Sequence, residues 1–117
     1  MSRKVLIVDD EADVRVYLTS VLTKHGYEVI TAEDGIAGLE AATRTKPDLI
    51  VLDLMMPKQS GPDFYRALAD DPQLRDTPVI IVSGLSGRSF TAREPVAVLD
   101  KPIVVSDFVA AVERALA

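Results

Sequence analysis

Side chains capable of chemistry recur in this chain directly after runs of apolar residues. Asp9, Asp10 and Glu11 follow Val5-Leu6-Ile7-Val8; Asp53 follows Leu49-Ile50-Val51-Leu52; Ser83 follows Val79-Ile80-Ile81-Val82; Asp100 precedes Lys101-Pro102. A single Asp after an apolar run is most often a turn residue or a cap, and Asp10 or Glu11 alone would simply begin a helix, where negative charge suits the macrodipole. The conjunction is harder to dismiss. Two unit charges roughly 4 Å apart repel by about 4 kcal/mol at an effective dielectric near 20. Gathering Asp9, Asp10 and Asp53 therefore needs an offset: protonation, the Lys101 ammonium or a bound cation. An all-oxygen set that keeps water in the shell favours Mg2+, which needs one or two carboxylates and often bridges to phosphate. Such a set suits phosphoryl transfer. Asp53, alone at the end of the central run, is the natural nucleophile, and Asp9 and Asp10 are the natural metal ligands. The metal and an ammonium would neutralise the phosphoryl oxygens, and a hydroxyl would hydrogen-bond the product.

For these residues to meet, the apolar runs must be neighbouring strands. Each is continuous rather than alternating and rich in β-branched residues, the pattern of strands buried on both faces of a parallel sheet. Glu28–Thr31 and Val96–Leu99 are weaker strand candidates. Helical periodicity fills the gaps. Val14, Tyr17, Leu18, Val21 and Leu22 form one apolar stripe, closed by His25 and a left-handed Gly26. Ile36, Leu39 and Ala42 or Thr43 form a second, ended by Lys46-Pro47. Phe64, Ala67 and Leu68 form a third, between Gly61 and Pro72, and Val105, Phe108 or Val109, Val112 and Leu116 a fourth, with Ser106 as its expected N-cap. Between Gly84 and Pro95 the chain reads as a loop with at most a short helix. Alternating strands and helices predict an α/β fold, a five-stranded parallel sheet with helices on both faces. In such a sheet ligands bind beyond the carboxyl ends of the strands, where the acids, Ser83 and Lys101 fall.

Composition narrows the function classes. The chain has 117 residues, which predicts one domain spanning 1–117. Its 13 basic and 18 acidic residues leave a net charge of −5, against a nucleic-acid-binding surface. It has no cysteine, excluding thiol catalysis and cysteine-based zinc sites, and its single histidine, His25, excludes a site needing two imidazoles. His25 reads as a surface or cap residue. No apolar run approaches a membrane span, and Asp9, Asp10 and Glu11 end the first run too early for a signal peptide. A cytoplasmic location is the expectation.

Taken in order, Val5–Val8 with Asp9-Asp10-Glu11, Asp48–Pro57 with Gly61, Val79–Val82 with Ser83-Gly84, and Lys101-Pro102-Ile103 resemble the receiver domain of bacterial response regulators. The resemblance covers essentially the whole chain. It implies a flavodoxin-like (βα)5 fold and an Asp53 that accepts a phosphoryl group from the phosphohistidine of a sensor histidine kinase or a histidine phosphotransfer protein. It further implies Mg2+ held by Asp10 and Asp53, with Asp9 helping partly through water and the backbone carbonyl of Met55 as another ligand. Ser83 and Lys101 would contact the phosphoryl oxygens, and the Lys101–Pro102 peptide would be cis, aiming Lys101 into the site. Such a domain signals through protein contacts and turns over no external metabolite.

The chain departs from the family's pattern in three places. Val98 occupies the position that usually carries a switch aromatic. Glu94-Pro95-Val96-Ala97 replaces a common Gly-Ala-Asp-Asp-like stretch. Lys101 follows Ser83 by only 18 residues, a few fewer than usual, so the intervening helix is expected to be short or irregular. Retained phosphorylation with altered output is the expectation; a pseudo-receiver that binds partners without phosphorylation is the alternative. A flavodoxin-like FMN carrier would need a phosphate-cradling loop after the first strand, where this chain has carboxylates. A haloacid-dehalogenase-like phosphatase would begin with Asp-x-Asp, and Asp9-Asp10 has the wrong spacing.

Overall fold

The computed structural model describes residues 3–53, 61–83, 97–100 and 103–117; of residues 61–63, 65, 83, 97, 98 and 100 it describes the backbone. The elements are β1 (Lys4–Val8), α1 (Ala12–Lys24), β2 (Glu28–Ala32), α2 (Gly35–Thr45), β3 (Leu49–Asp53), α3 (Gly61–Asp70), β4 (Val79–Ser83), β5 (Ala97–Asp100) and α4 (Val105–Ala115). The five strands form one parallel sheet in the order β2-β1-β3-β4-β5. This is the flavodoxin-like α/β architecture expected from the alternating pattern. Residues 84–96, where a short or irregular helix was expected, lie outside the described residues.

The continuous apolar runs are explained by burial on both sides. Leu6, Val8, Ile50, Leu52, Val79 and Ile81 face a core closed by Ala41, Ala42, Phe64, Leu68 and Leu74, from α2, α3 and the segment after α3. Val5, Ile7, Leu49, Val51, Ile80 and Val82 face a second core closed by Leu18 and Leu22 of α1 and Phe108, Ala111 and Val112 of α4. Every strand residue of β3 is buried, Asp53 included.

The helix ends follow local chemistry. Gly26 sits at φ +87°, and the Gly26 and Tyr27 amides donate to Thr23 and Leu22, a Schellman-type closure of α1. His25 caps the same end, its Nδ1 2.9 Å from the Val21 carbonyl. Asp34 caps α2, its Oδ1 accepting from the Ala37 amide at 2.8 Å. Two sequence expectations need correction. Helix α4 starts at Val105 with an extended Val104 as its N-cap and no side-chain cap bond, so Ser106 lies inside the first turn. The stripe expected on α2 holds in part: Ala42 is buried and Leu39 packs against the core, but Ile36 is 60% exposed, Thr43 is exposed, and the other buried residues are Gly35, Gly38 and Ala41. The cause is close approach. A Cβ built on Gly38 would lie 2.9 Å from both γ-methyls of Val8 and 3.2 Å from Phe64 Cε1, so only small residues fit beneath this helix.

Candidate functional site

Strand register decides which acids can meet. Val8 stands opposite Leu52 in the β1–β3 pair, so Asp9 and Asp53 each extend one residue further on adjacent strands. Asp53 is opposite Val82 in the β3–β4 pair, which sets Ser83 one step beyond it, and Ser83 is opposite Asp100 across β4–β5. The end of β1 is pinned to β2 as well, since the Asp9 amide donates to the Ala32 carbonyl at 3.1 Å.

Four carboxylates converge at this edge. Asp9, Asp10, Glu11 and Asp53 each offer an oxygen, and these oxygens all lie within 4.8 Å of one another. Asp9 and Asp53 are almost fully buried, at 3% and 4% exposure, whereas Asp10 and Glu11 are exposed. Asp9 Oδ1 accepts the Glu11 amide at 2.9 Å, folding the chain back so that the three consecutive acids share a tight turn before α1. That turn brings Glu11 into the cluster, although it also serves as the N-cap residue of α1. Its place beside Asp9 and Asp10 in sequence was the available signal. Asp34, also buried and also just beyond a strand, is outside this four-acid group and acts as a helix cap.

The donor set fits a hard divalent cation. Opposite oxygens in an octahedral Mg2+ shell lie about 4.2 Å apart and neighbouring ones about 3 Å, a span comparable with the 4.8 Å within which these oxygens fall. Without an ion, two unit charges 4.8 Å apart repel by about 3.5 kcal/mol at an effective dielectric near 20, and by less where solvent screens Asp10 and Glu11. The sheet fixes the backbone of two of them: Asp53 ends β3, and Asp9 follows β1 directly with its amide bonded to the Ala32 carbonyl.

The remaining expected site residues have partial descriptions. Ser83 ends β4, and Val98 stands opposite Ile81 in β5; both are described by backbone alone. Met55, Lys101 and Pro102 lie outside the described residues. Among the described residues no helix is long and apolar enough to cross a membrane.

Known proteins share this arrangement of fold and sequence. The family model for the response regulator receiver domain matches residues 5–113. The Rrf1 protein of Nitratidesulfovibrio vulgaris is 32% identical over 117 residues, covering 100% of this chain and 85% of that protein. Response regulator PleD of Caulobacter vibrioides is 48% identical over 89 residues, or 75% of this chain and 19% of PleD, so this chain spans only a small part of that larger relative. Among solved structures, the chemotaxis response regulator CheY4 of Vibrio cholerae superposes with a TM-score of 0.89 at 29% identity, covering 99% of this chain and 100% of that one. Five parallel strands in this order, acids at the ends of β1 and β3, and a match running almost from end to end have one common explanation: the chain belongs to the response regulator receiver domain family of two-component signalling.

Proposed function

We propose that residues 1–117 form one phosphoacceptor unit in which Asp53 takes a phosphoryl group from a phosphohistidine on a sensor histidine kinase or a histidine phosphotransfer protein. The observation that carries this reading is the meeting of buried Asp53 with Asp9, Asp10 and Glu11 at the carboxyl edge of the sheet. An Asp53 oxygen attacks phosphorus, the bond from phosphorus to the donor imidazole nitrogen breaks, and the departing imidazole takes up a proton. Dephosphorylation is a separate step: water attacks phosphorus, the bond from phosphorus to the Asp53 oxygen breaks, Asp53 leaves as carboxylate, and inorganic phosphate is released together with the proton lost by water. Bound Mg2+ supplies charge neutralisation at the phosphoryl oxygens and is assigned to Asp9, Asp10 and Asp53, with the Met55 carbonyl as a further ligand. Glu11 adds negative charge at the mouth of the site. Ser83 is assigned to hydrogen-bond a phosphoryl oxygen, and Lys101, aimed by a cis Pro102 peptide, to neutralise another. With Val98 where the family carries a swinging aromatic, phosphorylation would reach partners by a different movement, through protein contacts.

The test is direct. Incubated with Mg2+ and acetyl phosphate, the protein should gain one phosphoryl mass, and Asp53→Asn should abolish the gain. Absence of an adduct in the wild type, together with no Mg2+-dependent beryllofluoride binding, would instead assign a phosphorylation-independent interaction module.

A further inference from the structure

Arg15 lies one turn inside α1 and points back at the site's backbone. Its Nη1 donates to the Asp9 carbonyl at 2.7 Å, a charge-assisted bond at the short end of the usual range. It is half-buried, and it also lines a cleft with Thr31, Ala32, Glu33 and Ala37, so its side chain spans from α1 across the end of β1 toward β2. Its own amide donates to the Glu11 carbonyl at 3.1 Å. The result is three bonds converging on one residue. The Asp9 amide is held by Ala32, its carbonyl by Arg15 and its Oδ1 by the Glu11 amide.

From this geometry we infer that Arg15 is a positioning residue for the cation, holding the Asp9 carbonyl so that the turn through Asp10 and Glu11 is formed before the ion arrives. The inference rests on the Mg2+ reading above. Its physical content is preorganisation: an untethered Asp9–Glu11 turn, carrying three like charges, would open in the metal-free protein, and the ion would then have to restore it. Outer partners that fix ligands in this way commonly change metal affinity by about 10–100-fold.

Charge and geometry predict opposite signs here, which makes the idea testable. A guanidinium near a cation site disfavours the ion, so removing it for its charge alone should tighten binding. Removing it as a tether should weaken binding. Mg2+ titration of the intact chain by calorimetry should give an affinity for Arg15→Met about tenfold below wild type. Arg15→Lys, which keeps a donor and the charge, should recover most of it. In the metal-free proteins, amide exchange at Glu11 should be faster in Arg15→Met than in wild type, while the thermal midpoint changes little. If Arg15→Met fails to fold, Arg15→Gln, neutral and too short to reach the carbonyl, takes its place with the same expected weakening. Equal or tighter Mg2+ binding in the neutral variant, or unchanged Glu11 exchange, overturns the role of Arg15. A wild type that binds no Mg2+ overturns the underlying reading, and with it any role of Arg15 toward the ion.

Discussion

Three helices close the two cores with large side chains, Leu18 and Leu22 of α1, Phe64 and Leu68 of α3 and Phe108 and Val112 of α4, whereas α2 comes down on Gly35, Gly38, Ala41 and Ala42. The first kind of packing places the bulk of each side chain between helix and strand, so a change in size is absorbed locally. The second brings helix backbone against Val8, the residue before Asp9, so a change in size is passed to the strand. The lesson is that tolerance to mutation near the acidic edge depends on how a helix packs. The glycine-and-alanine face is the one that can disturb the site from a distance.

Four substitutions break or sharpen this contrast. The largest stability loss is expected for Phe108→Ala, about 3–5 kcal/mol by urea unfolding, because it leaves a cavity under a helix packed by large side chains. Since α4 supplies none of the four clustered carboxylates, Mg2+ affinity of the remaining folded protein should stay near wild type. Gly38→Val should cost less, about 1–3 kcal/mol, yet weaken Mg2+ binding, because Val8 must move and Asp9 moves with it. A Gly38→Val protein with unaltered Mg2+ titration would break the comparison. Asp34→Ala, removing the cap that α2 has, should cost about 1 kcal/mol. Val104→Asp, adding the cap that α4 lacks, should raise stability by about 0.5 kcal/mol, read as a shift in the urea midpoint at unchanged slope.

Legibility varied with how locally each feature is determined. The runs that became β1, β3 and β4 were readable because burial on both faces leaves no polar residue to interrupt them. The weaker candidates are strands as well, β2 running to Ala32 and β5 to Asp100, each one residue past the expected end; Val96 lies outside the described residues. The α2 face is legible only in part, at Leu39 and Ala42, because apolar periodicity weights large side chains and Ile36 is a large one left outside. Ser106 was misjudged as a cap because residue type alone does not reveal where φ and ψ turn helical; here they do so after Val104. The four-acid cluster was legible except for Glu11, which looked like the start of a helix and is also that. Arg15 was not singled out, since a basic residue on an amphipathic helix carries no mark of its partner.

Residue order by itself determined the fold class, the strands and the acidic residues at their ends, because hydrophobic period and side-chain type are properties of short stretches of chain. Tertiary structure alone decided the register that sets Asp9 level with Asp53, the close seat of α2 on Val8, and the bond from Arg15 to the Asp9 carbonyl. Each of these joins atoms that become neighbours only after the sheet has closed and the helices have docked, and pairwise distance is not encoded in any one segment.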